Sequence, residues 1–139
     1  MKFLGRYSDP IYCIMRLVVG LMFMCHGLDK IFGIFGGKPP GMMMGIVGGW
    51  LELILGLLVA IGLLTRFAAF LASGEMAVAF FMVHAKASFI PYVNKGELAV
   101  VYCFIFLYIA ARGAGLWSVD AMINRNPVDD LSARPPAGV

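Results

Sequence analysis

The chain has 139 residues, of which 61% are hydrophobic and only 14% charged, with a mean hydropathy of +0.88. Soluble domains are nearer half apolar and a quarter charged, so this balance points to an integral membrane protein of one domain. The net charge of +3 comes from Lys and Arg in connections and tails, without a basic domain, which excludes nucleic-acid binding as the main activity.

Met1 to Ser8 is a short basic stretch, and Asp9-Pro10 predicts a helix start with Asp as N-cap and Pro in the first turn. The first apolar run goes from Ile11 to about Ile31 and carries Arg16. No A-x-A-like cleavage site precedes Asp29-Lys30, so it reads as a retained span and not a signal peptide. Gly33 to Gly41, with Pro39-Pro40, breaks the helix. A second span is expected over Met42 to Leu64, a turn at Thr65-Arg66, and a third span from Phe67 to about His84. Ala87 to Lys95 reads as a loop with Pro91, and Gly96 to Arg112 as the fourth span, stopped by Gly113-Ala114-Gly115. The polar, Pro-bearing residues from Asp120 onward read as a tail that starts as a surface helix and ends disordered. The expected organisation is a tail over 1–10, a membrane domain over 11–119 and a tail over 120–139. The fold class is all-α, an antiparallel bundle of four transmembrane helices.

Four spans put both termini on one side. Lys2, Arg6, Arg66, Arg112, Arg125 and Arg134 fall there, against Lys30, Lys38, Lys86 and Lys95 opposite. This bias predicts an inner (cytoplasmic) membrane protein with cytoplasmic termini.

The second span is the centre of the reading. Gly45, Gly49, Glu52 and Gly56 recur at spacings of four, three and four, so one stripe carries three glycines and an acid. Such glycines let helix backbones approach closely. An acid at mid-membrane is costly and must face protein or a wet cavity. Rises of 1.5 Å per residue place Arg16 about 9 Å from the cytoplasmic end, Glu75 about 14 Å, Glu52 about 21 Å, His26 about 24 Å and His84 about 27 Å. Side chains lean toward their helix N-terminus, which predicts two layers: an Arg16–Glu75 ion pair within, and Glu52 beside His26 further out. His26 shares a face with Arg16, Val19, Phe23 and Lys30. His84, nine residues after Glu75, falls on the opposite side of its helix.

Glu52 and His26 are the expected proton-handling pair, since a carboxylic acid that keeps its proton can exchange it with an imidazole. Gly45, Gly49 and Gly56 are expected to open a quinone-sized gap beside it, with Gly49, Gly56, His84 and Glu97 forming the binding site for the cofactor. No metal or haem ligand set is legible: two histidines lack a third ligand at a recognisable spacing. The three cysteines include no CxxC pair and read as buried hydrophobes.

Arg16 to Gly36 (RLVVGLMFMCHGLDKIFGIFG), Trp50 to Phe70 (WLELILGLLVAIGLLTRFAAF), His84 to Glu97, and the closing GAGLWSVD (Gly113 to Asp120) together resemble the DoxX family of small four-helix membrane proteins. The resemblance covers about residues 11 to 120. It departs at Ala114 and Leu116-Trp117, where many members read GPGRYSLD. It implies membrane redox work near quinone, since some members are subunits of a thiosulfate:quinone oxidoreductase and others associate with redox partners. The expected function is therefore a small inner-membrane subunit of a quinone-linked redox system. Its partners would be the lipid bilayer and other membrane or redox subunits, with oligomerisation open. The residues leave open whether the chain catalyses anything alone. A non-catalytic scaffold or assembly partner and a small-solute permeation protein stand as alternatives.

Overall fold

A computed structural model describes residues 2–37 and 43–124. Lys38, the Pro39-Pro40 pair, Met42 and the tail from Arg125 lie outside the described residues. Helices make up the structure, with no strand among those residues: α1 (Lys2–Gly5), α2 (Ser8–Phe32), α3 (Met43–Ile61), α4 (Thr65–Ala79) with a π-helical turn (Phe80–His84), α5 (Pro91–Asn94), α6 (Glu97–Arg112) and α7 (Val119–Ile123). By length and composition α2 and the continuous Thr65–His84 helix are able to cross a membrane, and Gly45–Ile61 is a shorter apolar helix.

The four long helices run up and down in two tight pairs. In the first, α2 and α3 meet through glycine. A Cβ at Gly20 would lie 2.5 Å from the Ala60 nitrogen, and one at Gly56 would lie 2.5 Å from the Met24 nitrogen. At the cavity-side end of the same crossing, a Cβ at Gly27 would fall 2.6 Å from the Gly49 carbonyl oxygen. Only hydrogen fits at these positions, so the helices touch backbone to backbone. In the second pair, α4, whose Ala68, Ala69 and Ala72 are buried, packs on α6, and the Ser73 hydroxyl donates to the Cys103 carbonyl at 2.8 Å. Between the pairs lies an aromatic layer, in which Phe23 of α2 packs edge-on to Phe106 of α6 at 4.7 Å and Tyr102 stacks on Phe106 at 5.6 Å.

The outer surface inverts the pattern of a soluble protein. Ile46, Val47, Ile54, Phe67, Phe70, Val78 and Phe104 are exposed, while Arg16, Glu52, Thr65 and Ser73 are buried. Apolar cover this extensive requires an apolar solvent.

At one end, where α3 turns into α4 and α6 leaves the bundle, polar groups tie the helix ends together. Arg16 does not meet Glu75. Its guanidinium donates to the carbonyls of Val59 (3.2 Å) and Trp117 (2.6 Å), because the segment after α6 folds back over the end of α3 and brings carbonyls where Glu75 was expected. Arg66 donates to the carbonyls of Ala110 (3.1 Å) and Ala111 (2.8 Å), the carbonyl-rich terminus of α6 where a cation is favoured. The Tyr12 hydroxyl donates to the Gly113 carbonyl. Asp9 does not cap α2, which begins at Ser8 with Tyr7 as N-cap; its carboxylate instead pairs with Arg112. Asp120 caps α4 in its place, accepting from the Leu64 N–H (2.8 Å), the Thr65 N–H (2.9 Å) and the Thr65 hydroxyl (2.8 Å). Burial alone would raise the Asp120 carboxyl, but these hydrogen bonds from Thr65 and Leu64 outweigh it and hold it below the usual carboxylate range.

Candidate functional site

The opposite end is built differently. A cavity of about 250 Å³ opens there between the two helix pairs. It is lined by Phe23, His26 and Lys30 from α2, Glu52 from α3, Met76, Ala79 and His84 from α4 and its π turn, and Lys95, Leu98, Ala99 and Tyr102 around the start of α6.

Glu52 is 3% exposed, which places the acid inside the protein as its position in the apolar run requires. Its partner is Lys30 and not His26: Lys30 Nζ lies 2.5 Å from Glu52 Oε1. Lys30 follows His26 by four residues and so stands on the same face of α2, one turn closer to the helix end. Its flexible stem spans the gap to the carboxylate, whereas the His26 ring turns its edge to Tyr102 at 6.0 Å. The second carboxylate oxygen, Glu52 Oε2, is buried without a partner, as is the Tyr102 hydroxyl. Buried polar atoms left unpaired cost about 1–3 kcal/mol each, so two at one cavity mark a place prepared for something polar.

His84, named from sequence for the binding site, also lines the cavity, although its helix is not an unbroken α-helix. The π turn accounts for this. Its hydrogen bond joins the Ala85 N–H to the Phe80 carbonyl at 2.8 Å, spending one residue more per turn than an α-helix. Five residues then separate Ala79 from His84 on the same face. His84 Nδ1 lies 3.1 Å from the Asn94 carbonyl oxygen. A carbonyl only accepts, so in the neutral ring Nδ1 carries the hydrogen and Nε2 is left as an acceptor. Asn94 is held in turn by its donation to the Ser88 carbonyl (2.7 Å) and by accepting the Gly96 N–H (2.7 Å). The loop therefore fixes the imidazole.

The remaining expected residues fall elsewhere. Gly49 and Gly56 line no gap: the open side of Gly56 is filled by the α2 backbone at Met24 and Gly20, and that of Gly49 by the Ile31 and Lys30 side chains. Glu97 is exposed at the start of α6 and does not line the cavity. Arg16 is at the far end. Glu75 sits beside the site and not in its lining, with its Oε2 buried and unpaired. Among the described residues no three His, Cys, Asp or Glu side chains converge as a metal-ligand set. Lys30, Lys95 and Tyr102 were not singled out as site residues from sequence. For Lys30 the signal was present in its four-residue spacing from His26; for Tyr102, inside the apolar run of α6, there was none.

An apolar exterior, buried charge, and a polar cavity near one end define a small helical membrane protein. Against known families, residues 11–85 match the DoxX family model. An uncharacterized protein of Haemophilus influenzae is 38% identical over 128 residues, covering 86% of this chain and 96% of that protein. The chain belongs to the DoxX family. "Putative oxidoreductase CatD" of Bacillus subtilis is 28% identical over 79% of this chain and 84% of its own length. "Inner membrane protein YqjF" of Escherichia coli is 28% identical over 86% and 97%. No solved structure matches.

Proposed function

We propose that the chain crosses the inner (cytoplasmic) membrane four times with both termini in the cytoplasm, and serves as a small subunit of a quinone-linked redox system. The oxidoreductase and inner-membrane names of its relatives support the setting. The observation that carries the reading is the cavity, where the unpaired Glu52 Oε2 and Tyr102 hydroxyl face a space otherwise walled by Phe23, Met76 and Leu98. A quinone headgroup presents this mixture, a flat apolar ring with an oxygen at either side. Tyr102 donates to one oxygen and Glu52 exchanges the proton that accompanies reduction, with His84 Nε2 and Lys95 at the mouth. The ammonium of Lys30 keeps the carboxylate available in a low-dielectric wall. Electrons come from a partner subunit.

The test is quinone reduction by membranes carrying Glu52→Gln at normal protein level. Loss of turnover supports the reading; normal turnover refutes it. One observation favours a second reading: the Lys30–Glu52 pair ties α2 to α3, as a scaffold requires. Copurification in mild detergent distinguishes them, since a scaffold variant lacking the pair loses its partners, whereas a quinone-site variant keeps them.

A further inference from the structure

Glu75 is a half-buried acid that the proposed chemistry leaves unused. It stands on α4, about 15 Å along the helix from its start at Thr65. Its Oε2 is buried and has no partner among the described residues. Its Oε1 points at α3 where Gly48 stands; a Cβ there would be only 3.4 Å away. Gly48 precedes Glu52 by one helical turn, so the two carboxyls lie along the same face of α3. Glu52, with its partner Lys30, therefore stands one turn along α3 from the point where Glu75 meets that helix.

The groups facing this pair are few. α2 supplies Lys30 and His26, α6 supplies Tyr102, and His84 and the exposed Lys95 stand at the mouth. Among the described residues Lys30 is the cation that makes an ion pair here, and its partner is Glu52. Two carboxylates against one ammonium would leave an unbalanced charge inside the bundle, which is far more costly than keeping a proton.

We propose that Glu75 is the proton store of the cavity: Glu52 and Glu75 share the single ammonium of Lys30, so that one acid is ionised while the other holds a transferable proton. The inference deepens the quinone reading and rests on it for its ligand. In the resting state Glu52 is the carboxylate and Glu75 the acid. When a ligand oxygen that has become anionic on reduction draws a proton, the O–H bond of Glu75 breaks, the proton is relayed over the Glu52 carboxylate, and an O–H bond forms on the ligand. The negative charge has then moved from the ligand to Glu75, where it stays until a proton from outside restores the acid. The relay moves one negative charge within the bundle and adds none. Glu75 is a positioning and storage residue, since it does not touch the ligand.

Infrared spectroscopy of the purified protein at neutral pH tests the sharing without any quinone. The wild type should show one deuterium-sensitive carboxylic-acid band from a buried group. Glu75→Gln removes it. Glu52→Gln removes it too, because Lys30 then holds Glu75 as its carboxylate. Lys30→Met doubles it, since neither acid keeps a cation. A band that survives Glu52→Gln, or a wild type with no band sensitive to Glu75→Gln, overturns the proposal. Turnover in membranes adds a second measurement: Glu75→Gln should slow quinone reduction about tenfold, increasingly so as pH rises, and Glu75→Asp should restore most of it. If Glu75→Gln turns over like wild type, the store is wrong while the quinone site stands. If Glu52→Gln also leaves turnover unchanged, the quinone reading falls, and the bands alone decide the charge sharing.

Discussion

The two ends of the bundle use similar residues to opposite effect. At the end closed by Gly113 to Asp120, three charged groups bind backbone near helix ends: Arg16 takes carbonyls of α3 and the closing segment, Arg66 those of α6, and Asp120 the first N–H groups of α4. Arg16 Nε is the single orphan there among the described residues. At the cavity end, Glu52 Oε2, Glu75 Oε2 and the Tyr102 hydroxyl are all buried without partners. Saturated hydrogen bonding makes the first end rigid; the unspent capacity of the second gives it chemistry. Buried charge in a membrane protein is thus no single category, and the count of free valences separates the uses.

Substitutions can break this comparison, and the helix crossing on which both ends depend should respond most. Gly56→Val forces a side chain into the α2 backbone, so it should cost more than about 3 kcal/mol and abolish a cooperative melt in detergent. Survival of the melt would show that α2 and α3 can separate without loss. Arg16→Met should cost about 2–5 kcal/mol, because the carbonyls of Val59 and Trp117 are left unpaired. A smaller loss would mean that water reaches the closed end.

Asp120→Ala removes the cap of α4 and should cost about 1–2 kcal/mol at neutral pH. Its folded carboxyl lies below the unfolded one, so its stabilisation is present above the ordinary value of about 4 and lost as pH falls through the depressed one. Thermal melts of wild type and variant should therefore converge in acid; a constant gap would assign the loss to packing. Glu52→Gln should change stability least, by under about 1 kcal/mol, since Lys30 is half exposed and finds solvent or headgroups. A large destabilisation there would make the cavity end structural as well, and erase the contrast.

Much of this could be read from the residues. The four apolar runs became the four long helices within a few residues at each end, because continuous hydropathy leaves few places to turn. Glycine spacing foretold that α3 meets some helix closely without naming α2, and the cost of a charge in lipid foretold the burial of Glu52. Partner identity was harder. Arg16 was matched with Glu75 by depth, but its partners come from Val59 and Trp117, and main-chain carbonyls carry no sequence signature. Gly49 and Gly56 were legible as small and illegible as filled or empty, since that depends on which helix crosses them. His84 was named for the site, but the π turn that changes its direction, a one-residue change of period, is announced by no residue type. Lys30 was visible on the face of His26, but a lysine near a helix end ordinarily reads as an interfacial anchor.

Arg16 and Trp117 are 101 positions apart, as are Tyr12 and Gly113. As the chain is synthesised, its first hydrophobic helix reaches the bilayer with a guanidinium and a phenol whose acceptors have not yet been translated. Biogenesis must therefore shelter that helix at the insertion machinery, or let it rest shallow, until the last segment arrives. A chain that ended before the closing motif would leave Arg16 without the Trp117 carbonyl and Tyr12 without that of Gly113.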